Sequence, residues 1–97
     1  MMDAAAPGAL CRDIAICNKR GLHARAAARF VQLAEKFDAE ITVSKDATTV
    51  GGTSIMGLMM LAAGIGSTIR ITGDGPQAEA AVTALCDLVA DKFGEEE

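Results

Sequence analysis

Along these 97 residues the spacing of apolar side chains switches repeatedly between every second residue and every third or fourth. That switching restricts the fold more than any other feature. A two-residue period suits a strand wet on one face, and a 3.6-residue period suits a helix. Residues 12–17 alternate, with Ile14 and Ile16 on one side and Asp13 on the other. From His23 onward Ala27, Phe30, Val31, Ala34 and Phe37 recur at helical steps, while Arg29, Gln32, Glu35 and Lys36 take the opposite side. This predicts an amphipathic helix of about fourteen residues. Residues 40–44 alternate again, and residues 45–48 turn into a short strand ending at Val50. Gly51 and Gly52 break the chain, and Ser54 has N-cap chemistry for a short helix that Gly64 is expected to stop. Residues 67–72 make a fourth strand with Ile69 and Ile71 inward, and Pro76 is expected at the first position of a last helix. That helix buries Ala78, Ala81, Val82, Leu85, Leu88 and Val89 and ends near Gly94.

Four half-wet strands with helices covering one face describe an α+β open-faced sandwich in the order βαββαβα. At 51% apolar content the chain can build one such core, with no room for a nucleotide-binding domain beside it. Residues 1–9 read as a flexible N-terminal arm, residues 10–94 as the domain, and residues 95–97 as an acidic tail of the usual solvated kind. A net charge of −4 and the absence of Trp and Tyr argue against nucleic acid. Cys11, Cys17 and Cys86 are odd in number and lack CxxC spacing, so they read as small fillers rather than a disulfide framework. With one histidine no metal site is expected. The first residues lack a signal-peptide pattern, and the longest apolar run, residues 55–63, is too short to cross a membrane. The cytoplasm is the expected location.

The lone His23 stands where a helix should begin, in Gly21-Leu22-His23-Ala24-Arg25. A helix start presents unpaired N–H groups and the positive end of the macrodipole, which favours an anion such as phosphate. The same field disfavours imidazolium, keeping a ring nitrogen lone pair free for attack. Arg25 and Arg29 lie one turn apart, so at least one guanidinium can reach an oxyanion on the ring. Arg25 opposes the dipole unless an anion meets it. A surface histidine with no chemistry is the plain alternative. A general base would need a partner acid and a pocket, and neither is visible nearby in sequence.

Residues 21–27, Gly-Leu-His-Ala-Arg-Ala-Ala, resemble the active-site signature of HPr, the histidine-containing phosphocarrier of the bacterial sugar phosphotransferase system. Residues 53–59, Thr-Ser-Ile-Met-Gly-Leu-Met, resemble the family's second signature around its regulatory serine. The resemblance spans residues 12–92 with both motifs in order. It implies that His23 takes a phosphoryl group on Nδ1 from the phosphohistidine of Enzyme I and passes it to an EIIA-type acceptor. Arg25 would neutralise that group, and no cofactor is needed. The chain would be a stoichiometric carrier rather than an enzyme, working as a monomer. Two positions depart from the family: Ala26 stands where proline is usual, and Thr53 stands where a basic residue often precedes the serine.

Ser54 is either a plain N-cap or a regulatory site for HPr kinase/phosphorylase. Leu58 and Leu61 form the core side of the short helix, and Met60 is expected to fill a core gap. Ile55, Met56 and Met59, with Ala24 and Ala28 on the first helix, are the candidate partner-binding residues. Arg29 lies outside the signature and reads as a solvated residue or a partner contact. The alternatives that keep the fold are a nitrogen-branch (NPr-like) carrier serving regulatory proteins, and a non-carrier interaction module that leaves His23 idle.

Overall fold

A computed structural model describes residues 10–97, so the expected arm at residues 1–9 lies outside the described part of the chain. The elements run β1 (Leu10–Ala15), α1 (Ala24–Ala34), β2 (Glu40–Lys45), β3 (Thr48–Gly51), α2 (Ile55–Met60), β4 (Thr68–Asp74) and α3 (Ala78–Ala90), followed by a 3₁₀ turn at Lys92–Gly94. The strands form one antiparallel sheet in the order β1-β4-β2-β3. The α+β open-faced sandwich read from the sequence is the fold observed.

Register explains the core. Ile14 pairs with Ile69 across β1 and β4, and Val43 pairs with Ile71 across β2 and β4. Ile41, Val43, Ile69 and Ile71 are buried, while Arg70 between the last two is exposed. From above, α1 contributes Ala27, Phe30, Val31 and Ala34, and α3 contributes Ala81, Val82, Leu85 and Val89 to the same cluster. Each Val or Leu fully buried in this way stabilises by about 1.5–3 kcal/mol.

Several boundaries differ from those expected, each for a local reason. The first helix has 11 residues rather than fourteen, because Lys36 and Phe37 donate three residues back, to Leu33 and Ala34, and the last turn tightens. Gly64 does not stop α2. The helix ends at Met60, and Ala62 takes the left-handed conformation at φ +52°. Pro76 precedes the N-cap Gln77 of α3 instead of occupying the first helical position. Gln77 is held there by Asp38: its backbone N–H donates to the Asp38 carbonyl, and its side-chain oxygen accepts the Asp38 N–H. Leu88 is only partly buried. Phe93, just past the last helix and not anticipated in the core, is fully buried.

Candidate functional site

The Gly-Leu pair before His23 is an anchor. Gly21 adopts φ +69°, and a Cβ there would lie 2.5 Å from the carbonyl oxygen of Ala63. That close approach lets Leu22, itself buried, donate its N–H to the same oxygen at 2.9 Å. Asn18, wholly buried, donates from Nδ2 to the Gly21 carbonyl at 2.8 Å. The backbone entering His23 is therefore fixed from both sides.

His23 is the N-cap of α1, with extended φ and ψ, and its carbonyl accepts the Ala27 N–H at 2.8 Å. Its side chain makes no capping bond. The N–H groups of Ala24, Arg25 and Ala26 have no carbonyl within their own helix to meet, so the positive end of α1 stays open. Ala26, in the first turn of α1, is fully buried.

The imidazole has a partner acid after all. Nε2 lies 2.5 Å from Oε2 of Glu95, while Oε1 of Glu95 accepts from Asn18 Nδ2 at 2.9 Å. Glu95 is delivered by the C-terminal turn. Phe93, at φ +56°, plugs the core, and its carbonyl accepts from the guanidinium of Arg29. Beyond it, the Lys19 N–H donates to the Glu97 carbonyl at 2.6 Å. One expectation is corrected by this. Glu95 of the tail is docked rather than solvated. The ring is about three-quarters covered, with 24% of its side chain exposed, because the tail folds over its Nε2 edge. Arg29 is exposed, in keeping with its reading as a solvated residue, and it also braces the turn.

Partial burial pushes the Glu95 carboxyl up, but bonds from Asn18 and His23 and the charges of His23 and Arg20 outweigh it and hold the group below the ordinary carboxylate range. An ionised carboxylate can only accept, so the proton between the pair belongs to Nε2. In the neutral ring, that leaves Nδ1 with the lone pair.

Arg25 is exposed, and among the described residues it makes no salt bridge. It lines a cleft with Lys19, Arg20, Arg29 and tail residues 94–97, so it borders the same ground as the partner of His23. Ser54 caps α2: its Oγ accepts the Gly57 N–H at 3.0 Å. The helix it starts packs against α1. On α2, Leu58 and Leu61 are buried as expected, and Ile55, Met56 and Met59 are exposed. Met60 is also exposed, at 75%, so it fills no core gap, and Ile65 extends the apolar surface. Ala24 is exposed and Ala28 half-buried. Cys11, Cys17 and Cys86 are free thiols, and burial pushes the Cys86 thiol up. Among the described residues no group of His, Cys, Asp and Glu is placed to hold a metal ion.

Sequence reasoning missed Asn18, Phe93 and Glu95. The ring and its acid are 72 positions apart, beyond any local pattern. The one available signal was an aromatic residue standing just past the last helix, in Lys92-Phe93-Gly94.

Comparison with known proteins bears on the same residues. Residues 10–91 match the family model described as PTS HPr component phosphorylation site. The chain belongs to the HPr family. It is a phosphocarrier of the phosphotransferase system, with phosphotransfer proteins of that system as its partners. It is 51% identical to Phosphocarrier protein HPr of Cupriavidus necator over 91% of this chain and 99% of that one. It is 49% identical to Phosphocarrier protein NPr of Shewanella violacea over 87% and 92%. A solved HPr structure from Thermoanaerobacter tengcongensis superposes with a TM-score of 0.86 at 46% identity, covering 91% of this chain and 99% of that one. No helix among the described residues is long and apolar enough to cross a membrane.

Proposed function

We propose that His23 is the phosphoryl acceptor of this HPr-family chain. Nδ1 attacks the phosphorus carried by the phosphohistidine of Enzyme I, loaded upstream from phosphoenolpyruvate. The donor's P–N bond breaks with its electron pair returning to the donor ring, and the group later moves on to an EIIA-type acceptor. Phosphoryl transfer asks a protein mainly for position and charge stabilisation. Here the open amides of α1 and the unpaired guanidinium of Arg25 supply the stabilisation. The chain acts as a stoichiometric carrier and not as an enzyme, without cofactor or metal, in the cytoplasm and as a monomer. Residues 10–94 are the carrier domain. Exposed Ala24, half-buried Ala28 and the apolar Ile55, Met56 and Met59 form the docking surface, and Ser54 is the site where HPr kinase/phosphorylase would add a regulatory phosphate.

The single observation that carries this reading is the uncapped start of α1, with its histidine held by Nε2 alone. Incubation with Enzyme I and labelled phosphoenolpyruvate should yield an acid-labile, base-stable phosphoryl group, absent in His23→Ala. Label retained by that variant, or none on the native chain, defeats the reading. A nitrogen-branch carrier is the second reading, favoured by near-equal identity to an NPr and an HPr. Competing EIIA-type acceptors from the two branches for the phosphorylated chain decides between them.

A further inference from the structure

We propose that Glu95 is a positioning residue for His23: it fixes the ring with its proton on Nε2 and balances the positive charge the ring acquires when Nδ1 is phosphorylated. The inference rests on the phosphocarrier reading and goes beyond it, because it gives the C-terminal turn a part in the chemistry.

The geometry is that of an acid orienting an imidazole. One carboxylate oxygen meets Nε2 at 2.5 Å, and the other is held by Asn18 at 2.9 Å. Asn18 gives both of its side-chain donors, one to the Gly21 carbonyl and one to Glu95, and its own Oδ1 is buried without a hydrogen-bond partner. A buried acceptor left unmet is unfavourable, so this orientation of the amide persists only if both donated bonds matter to the arrangement. One bond fixes the backbone before the histidine and the other fixes its acid. Phe93 in the core and Arg29 on its carbonyl hold the turn that carries the carboxylate.

The charge balance follows from the bonding. The form of the ring that attacks is the neutral one, with hydrogen on Nε2 and a lone pair on Nδ1. When that pair forms the bond to phosphorus and the donor's bond breaks, the ring keeps its Nε2 proton and becomes cationic. Glu95 faces that cation directly, as the buried acid of a hydrolase triad faces its imidazolium. On onward transfer the P–N pair returns to Nδ1 and the ring leaves neutral. A ring held in its protonated state is the better leaving group, so the carboxylate keeps the phosphoryl group transferable in both directions.

Two donors test this. Enzyme I needs a docking surface, whereas phosphoramidate, a small phosphoryl donor, does not. Glu95→Gln keeps one acceptor oxygen for the ring and removes the charge, and Glu95→Ala removes both. With Enzyme I, Glu95→Gln should lower kcat about tenfold with KM within about twofold, and Glu95→Ala should lower it further. Both should slow phosphoramidate labelling similarly, with an amide NMR spectrum like that of the native chain. The ¹⁵N spectrum of the neutral ring should place the proton on Nε2 in the native chain and show a mixture in Glu95→Ala. Unchanged kcat, a rise in KM alone, or a defect confined to Enzyme I would make the tail a docking contact and overturn the proposal. Label from phosphoramidate but none from Enzyme I on the native chain overturns the phosphocarrier reading, while the Glu95 variants still decide the positioning role of Glu95. No label from either donor overturns both.

Discussion

Helices α1 and α2 pack against each other but begin in opposite states. Ser54 turns its hydroxyl onto the Gly57 N–H and closes the start of α2. His23 makes no such bond, and its side chain is drawn away from the helix toward Glu95. A side-chain cap is typically worth about 1 kcal/mol, so α1 forgoes stability that α2 keeps. The reactive position is the helix start left open, and the chain holds it rigid by other means. Gly21, Leu22 and Asn18 fix the backbone behind the ring, and the C-terminal turn fixes its far edge.

The sharpest way to break this contrast is to close α1 as α2 is closed. His23→Asn supplies a capping side chain and removes the nucleophile, so phosphoryl acceptance should vanish while the melting temperature holds or rises by a few degrees. A large fall in melting temperature would mean that the ring contributes more to stability than a cap does. Next comes Arg25, exposed and unpaired. Arg25→Ala should slow phosphoryl transfer roughly a hundredfold, as loss of one preorganised donor to an anion does, and leave stability within about 0.5 kcal/mol by thermal melting.

Gly21→Ala tests the anchor in front of α1. The clash with Ala63 and the left-handed backbone together should cost about 2 kcal/mol, lowering the melting temperature by roughly 8–16 °C. Ser54→Ala opens α2 and should cost about 1 kcal/mol by denaturant titration, whereas Ser54→Asp, still able to cap, should cost less. The smallest effect is on acid stability. The Glu95 carboxyl is held below its ordinary value by Asn18, His23 and Arg20 against the opposing pull of burial, so its contribution is complete above the ordinary range. It disappears as pH falls through the depressed value. Melting curves of the native chain and Glu95→Gln should differ at neutral pH and converge in acid.

What the sequence could disclose followed the range of the forces involved. Strand alternation, the helical stripes and the Gly51-Gly52 break are local, and they located the four strands and three α-helices, though not the 3₁₀ turn at Lys92–Gly94. The boundaries at Ala62 and Gln77 escaped because the chain took a left-handed turn at a non-glycine residue and because Asp38 captured a side chain 39 positions away. The candidate nucleophile and Arg25 stood in one short motif. Asn18 and Glu95 did not, since their meeting depends on where α3 ends over the sheet. Met60 was misjudged because helical spacing alone does not say how far a helix of 6 residues sinks into its neighbours.

Phe93 gives the end of the chain a socket, and the socket lies two residues from the ring's acid. Warming should loosen that plug before the strands part, since a short terminal turn opens more readily than a four-stranded sheet. The histidine would then lose its companion in a molecule that still looks folded by circular dichroism. Loss of phosphoryl acceptance on heating would run ahead of melting, making the activity a thermometer for one aromatic side chain.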